Sequence, residues 1–279
     1  MTVSSPLALC AAQELTLAVR SRATQTFAAV FAALAIGVAA SGYILSGGSG
    51  VQDFARTATS LVQLVLLIVP LMALVLGTTA LSPDRGASEL LFSQPVARRT
   101  LLWGRLLGLF AALIAAQALG FGASGLVIFS QSGGEGVTAF LLLMTGAATL
   151  TAIFLSVAAL VAGAGEGRRR SRAMATAIFV WFAAAVLYDV VALGAASMLR
   201  SGAASRLLIV AVLANPVDAV RTGLLLAVQG TTAFGAASLA LLRFAGGPGR
   251  AVFLILAGAA LWTIVPALLA ARRLDRADI

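Results

Sequence analysis

The chain is organised by apolar runs of about twenty residues or more, separated mostly by short polar connections, several of which carry arginine. Runs of that length suit helices crossing the roughly 30 Å hydrocarbon layer of a bilayer. Hydrophobic residues make up 61% of the sequence and charged residues 10%. A soluble domain carries about a quarter charged residues, because its surface must face water. Lipid is therefore the main solvent, and the backbone must satisfy its own hydrogen bonds in helices or in a closed barrel. Barrel strands alternate apolar and polar residues over about ten positions. These runs do not alternate, and the expectation is an all-α membrane protein.

Six spans are predicted, at about 23–45, 57–81, 100–129, 137–164, 173–199 and 250–271, within a single transmembrane domain over 1–279. A helix over 6–22, interleaving apolar residues with Gln13, Glu14, Arg20 and Arg22, is too short and too polar to span and is expected along the interface. The section at about 200–248 is longer and mixed. Asn215-Pro216 within it breaks the chain direction and starts a second short helix, so a small helical hairpin is expected on the outer face. About two thirds of the arginines fall on the side shared by both termini, the run at 168–172 among them, which places both termini in the cytoplasm.

The net charge of +9 comes from arginine alone, since the sequence holds no lysine. The arginines lie in short connections and form no separate basic face, so nucleic acid is not an expected partner. Without histidine there is no Ser-His-Asp triad and no imidazole metal ligand. Without lysine there is no Walker A loop, so any nucleotide that drives this chain is bound by another. No catalytic residue, no metal site and no cofactor are expected in this chain. The lone Cys10 excludes an internal disulfide; its surroundings lack the basic segment and small preceding residue of a lipoprotein signal.

Several motifs have plain structural explanations. Gly120, Gly122 and Gly125 match a dinucleotide-binding spacing, but they sit inside a span with no strand before them. Small residues there, like Gly104 and Gly108, let helices approach closely. Met72, Met144, Met174 and Met198 are spread over three spans at no ligand spacing and read as core filler. Asp189 is different, because an ionisable residue inside a span is costly and marks a functional candidate. It lies about ten residues from the outer end of its span. Two roles stay open for it: hydrogen bonding within the bundle, or a place in a transport path.

The most polar interior stretch is 82–99, SPDRGASELLFSQPVARR. Ser82 suits a helix N-cap, Pro83 the first helical position and Asp84 the positive dipole end, with the helix closing before Pro95. Leu90, Leu91 and Phe92 give it an apolar side. These residues alone are compatible with a short amphipathic helix or with an ordinary interfacial loop. The stretch, continued by TLLWGRLLG, resembles the signature of type-2 ABC exporter permeases: an acidic–basic pair, glycine, a Glu-Leu-Leu run, then proline and arginine before the third span. The segment from Ala12-Gln13-Glu14-Leu15 to Arg20-Ser21-Arg22 resembles the N-terminal elbow helix of that family.

The resemblance covers the whole chain and implies a non-catalytic transmembrane subunit in the bacterial inner membrane. It would pair with a second copy of itself, with two copies of a separate ATPase on the cytoplasmic side. In that family 82–99 is the coupling loop, so Asp84, Arg85, Gly86, Ser88, Glu89, Gln94 and Pro95 are the implied ATPase-coupling residues. A narrower resemblance joins the stretch from Trp181 to Asp189 with LANPVDAVR at 213–221. Both are similar to NosY-type permeases, the membrane subunits of the transporter serving nitrous oxide reductase maturation. It implies export or delivery of a sulfur or copper-related species. It also implies a periplasmic β-helix accessory protein and a copper chaperone as partners, with Asn215, Pro216, Asp218 and Arg221 on the partner-facing hairpin. A generic exporter of lipid, glycan or drug would share the coupling loop. A secondary transporter would instead use Asp189 as its ion site, although no internal repeat supports that class.

Overall fold

The computed structural model of the chain describes residues 5–44, 51–82, 96–132, 136–163, 170–229 and 236–276. No strand occurs among them. In chain order the helices are α1 (Pro6–Arg20), α2 (Arg22–Ile44), α3 (Val51–Leu81), α4 (Arg98–Ser132), α5 (Val137–Ala162) and α6 (Arg170–Phe182). A single π turn (Ala183–Leu187) continues α6 into α7 (Tyr188–Ser197). Then follow α8 (Ser201–Ala214), α9 (Pro216–Gln229), α10 (Ala236–Ala245) and α11 (Pro248–Arg276). Six segments are long and apolar enough to cross a membrane: α2, α3, α4, α5, the α6–α7 pair and α11. The fold is therefore an all-α membrane protein, as the apolar runs predict.

Local chemistry sets the helix ends. Pro6 opens α1 at a position where a missing N–H costs nothing, and the Ser5 hydroxyl accepts from the Ala8 N–H. Ser21 separates α1 from α2 in an extended conformation, and its hydroxyl in turn accepts from the Thr24 N–H at 3.1 Å. Pro70 sits in the middle of α3, and in its own turn the Leu67 carbonyl accepts from Trp181 Nε1 at 2.9 Å. That bond ties α6 to α3 across lipid-exposed surface.

The main core lies where α2, α3, α4 and α5 meet. A run of rings, Phe27, Phe31, Phe121, Phe140 and Phe129, connects α2, α4 and α5 with centroids 5.3 to 5.9 Å apart. Most contacts are edge-on, the geometry that ring quadrupoles favour. Gly120 makes room for this: a Cβ there would stand 2.5 Å from the Phe31 ring. The α6–α7 span contrasts with the core, since only 6% of its apolar window is covered by the rest of the chain. A second, smaller core joins α8, α9, α10 and α11 through Val212, Ala219, Leu241 and Ile255.

One buried polar pair crosses the main core. Gln117 Nε2 on α4 donates to Thr151 Oγ1 on α5 at 2.7 Å, and that hydroxyl donates onward to the Ala147 carbonyl at 2.8 Å. Removing one partner strands a buried amide, whereas removing both leaves an apolar contact. Thr151→Val is expected to lower stability by about 1–2 kcal/mol, and the double variant Gln117→Leu/Thr151→Val to recover most of that loss. Thermal unfolding in detergent measures both; equal losses for the two variants would show that the pair is not the cause.

Candidate functional site

Among the described residues, two networks of charged side chains stand out, one toward each end of the bundle. The first gathers where α1, the end of α3, the start of α4 and the end of α11 come together. Gly104 and Gly108 bring α1 backbone-close to α4, because a Cβ at Gly108 would lie 2.5 Å from the Ala11 carbonyl and 2.9 Å from the Leu15 nitrogen. Close approach by glycine, read from the sequence as packing, therefore fastens the short N-terminal helix to the third span. Glu14 is buried at this contact, 8% exposed, and its Oε2 accepts from Arg105 Nε at 3.0 Å. The other arm of the same guanidinium, Nη2, donates to the Ala80 carbonyl in the last turn of α3. Next to it, Arg98 donates to the Leu274 carbonyl at 3.2 Å and Arg99 pairs with Asp275 at 2.5 Å, tying the start of α4 to α11. The Arg99 side chain is 63% exposed, so that pair contributes little by itself.

The predicted coupling residues Asp84, Arg85, Gly86, Ser88, Glu89, Gln94 and Pro95 lie outside the described residues. Their flanks are in place: Ser82 closes α3 with its hydroxyl on the Thr78 carbonyl at 2.6 Å, and α4 begins at Arg98. The helices that flank these residues, α3 and α4, are joined by Arg105.

The second cluster lies at the opposite end, at a chain break that the sequence announces. Pro216 disfavours helical geometry for the residue before it, and Asn215 is extended, with φ −102° and ψ 116°. The axes of α8 and α9 consequently differ by 98°. Asn215 also serves as the N-cap of α9, its Oδ1 accepting from the Val217 N–H at 3.1 Å. Its Nδ2 donates to Asp218 Oδ2 at 3.1 Å, and Asp218 occupies the first turn, where a negative charge meets the positive dipole end.

The cluster extends from there to the fifth span. In the π turn the Tyr188 N–H reaches back to the Ala183 carbonyl rather than to Ala184, and Asn215 Nδ2 donates to the Ala184 carbonyl at 2.8 Å. The Tyr188 hydroxyl donates to the Ala211 carbonyl of α8 at 3.2 Å. Arg221 Nη1 contacts both carboxylates, Asp189 Oδ2 at 2.5 Å and Asp218 Oδ1 at 2.9 Å. Asn215, Asp218, Arg221 and Asp189 thus form one connected site, with Pro216 setting the break beside it, and the network lies between helices rather than on a partner-facing surface. Asn215 and Asp218 turn inward, at 2% and 8% exposure. Beyond them α9 descends into the bundle, where the bare Gly146 of α5 receives Leu224; a Cβ at Gly146 would come within 2.8 Å of it.

Asp189 is held by Arg221 in this arrangement. No group of three or more His, Cys, Asp or Glu side chains that could hold a metal ion occurs among the described residues. Sequence reading passed over Arg105 as one more charge at a span end. The clue was a complementary pair: a glutamate in the short first helix and an arginine about two turns into the third span.

The comparisons with known proteins agree with this architecture. Residues 8–279 match the family described as ABC-2 family transporter protein. The chain is 31% identical over 220 residues to a Pseudomonas aeruginosa protein named "Probable ABC transporter permease protein NosY", covering 76% of this chain and 78% of that one. A Stutzerimonas stutzeri protein of the same name is 31% identical over 219 residues, with the same coverage of both chains.

Proposed function

The chain belongs to the ABC-2 family of transporter proteins, and from that premise we propose that it is the membrane subunit of an ABC exporter. It works as a pair of copies, with two copies of a separate ATPase chain on the face that carries 83–95. Both termini lie on that face, the cytoplasmic side of the bacterial inner membrane. Closure of the ATPases on nucleotide presses on the segment around Asp84–Gln94 and tilts the spans between inward- and outward-facing arrangements. The observation that carries this reading is the family match over nearly the whole chain, joined to a sequence that lacks the lysine a nucleotide loop requires.

Likeness to the NosY relatives supports a narrower assignment. The cargo is then a sulfur or copper-related species delivered for nitrous oxide reductase maturation. A periplasmic β-helix accessory protein and a copper chaperone are the expected partners on the far side. The α8–α10 section is the part of the chain placed to meet them. The Asp189 carboxylate is engaged by Arg221, which favours a fixed structural part over an ion-carrying one.

Co-expression with the neighbouring ATPase and purification through a single tag tests the coupling assignment. The ATPase is expected to co-purify, and Glu89→Arg to reduce its MgATP turnover at least about fivefold by reversing charge and adding bulk at the contact. Absence of the ATPase from the purified material, or unchanged turnover in Glu89→Arg, would end the assignment.

A further inference from the structure

The side chain at the centre of the first cluster does more than neutralise a charge. Arg105 stands about two turns into α4 and spreads its planar fork over two acceptors on two other helices. Nε binds Glu14 Oε2 of α1 at 3.0 Å and Nη2 binds the Ala80 carbonyl of α3. The last carbonyls of an α-helix have no donor further along the chain, so the end of α3 is a place where a guanidinium is favoured twice, by hydrogen bond and by dipole. Lysine offers one compact ammonium and cannot hold two separated acceptors in fixed directions.

Position gives this contact its meaning. Ala80 is the third residue before 83, and α4 begins at Arg98 soon after 95. Arg105 therefore joins the two anchor points of the same connection. It also fastens both to α1, which glycine contacts at Gly104 and Gly108 press onto α4. Glu14, at 8% exposure, has few alternatives to this partner, because a carboxylate among apolar side chains is costly when unpaired.

We propose that Arg105 is a positioning residue for force transmission: by linking Ala80, Glu14 and its own helix, it makes α1, α3 and α4 move as one block when the 83–95 connection is pushed. The proposal rests on the reading that this connection docks on an ATPase. With the link cut, each anchor yields separately, and a push on the connection is absorbed locally.

The test uses the full chain assembled with its ATPase in liposomes. In a Cys10→Ser background, spin labels at Leu126→Cys and Met198→Cys report on the far end of the bundle, both positions being well exposed at 77% and 89%. Labelled chain is diluted with unlabelled chain so that only distances within one copy contribute. MgATP with vanadate traps the closed ATPase, and the trapped nucleotide is counted in parallel. In the parent, trapping is expected to shift the label distance. Arg105→Ala and Arg105→Lys are expected to trap the same amount of nucleotide while the shift falls to less than half.

A full shift in both variants would overturn the proposal. If Arg105→Ala does not assemble, Glu14→Gln, which keeps the size of the side chain, is judged by the same criterion. The exchanged pair Glu14→Arg/Arg105→Glu remakes the ion pair but turns a carboxylate toward the Ala80 carbonyl, and it is expected to remain defective. Full recovery in that exchange would show that the α1 contact alone matters and would remove α3 from the block. A parent complex that traps nucleotide without any shift would instead overturn the coupling reading itself, and the role of Arg105 with it.

Discussion

Gly108→Ala is expected to destabilise the protein by at least about 3 kcal/mol, although it adds a single methyl group to a helix, where alanine is normally preferred. The new Cβ would stand 2.5 Å from the Ala11 carbonyl oxygen, 2.8 Å from Glu14 Cβ and 2.9 Å from the Leu15 nitrogen. Two of these three atoms are backbone, so relief requires all of α1 to move outward from α4. Such a movement also stretches the Glu14–Arg105 pair. Gly122 on the same helix supplies the control, because a Cβ there meets nothing within 4 Å. Gly122→Ala is expected to be neutral or to stabilise by up to about 1 kcal/mol through helix propensity alone. Thermal unfolding of the two variants in one detergent separates the cases. Equal melting temperatures would show that α1 is not held by this contact.

Arg221→Met is expected to cost about 3 kcal/mol, the lower end of the range for breaking a buried ion pair. The lower end applies because the Arg221 and Asp189 side chains retain 26% and 29% exposure. Without the guanidinium, Asp189 and Asp218 face each other with no cation between them, and the bend at Asn215 loses its tie to the fifth span. Changing both carboxylates as well, in Arg221→Met/Asp189→Asn/Asp218→Asn, is expected to restore more than half of the loss, since no charge is then stranded. Limited proteolysis between α8 and α9 gives a second readout: cleavage there should rise in the single variant and fall back in the triple one. A triple variant no better than the single would mean that the guanidinium acts through packing rather than through charge.

What the sequence discloses about this fold follows from the range of each interaction. The spans were legible because a bilayer imposes one length and one composition on every crossing, and α2, α3, α4, α5 and α11 begin and end within a few residues of their apolar runs. The break at Asn215-Pro216 was legible because it is made by two adjacent residues with their own backbone preferences. The burial of Asp218 and the joining of Asp189 to Arg221 were not, since they depend on α9 folding back into the bundle and on Gly146 leaving room for Leu224. Glu14 and Arg105 are 91 positions apart and their meeting depends on two glycines that could as well have served lipid-facing helices. The π turn had no signal at all, for Ala183-Ala184-Ala185-Val186-Leu187 reads as an ordinary stretch of helix.

That turn has a consequence for how the fifth span tolerates change in length. An i→i+5 turn holds one residue more than the α turn it replaces. Each α-helical residue advances the side chains by about 100° around the axis. Deleting one alanine from 183–185 would remove the surplus and leave the direction of Tyr188 and Asp189 nearly unchanged, whereas winding all the residues as a regular α-helix would rotate them by about that angle relative to Arg170–Phe182. Asp189 would then swing away from Arg221, while the Ala184 carbonyl would be claimed by its own helix and lost to Asn215. The surplus residue therefore works as a phase shifter: it lets the first half of the span keep Trp181 against α3 while the second half presents its carboxylate to the hairpin.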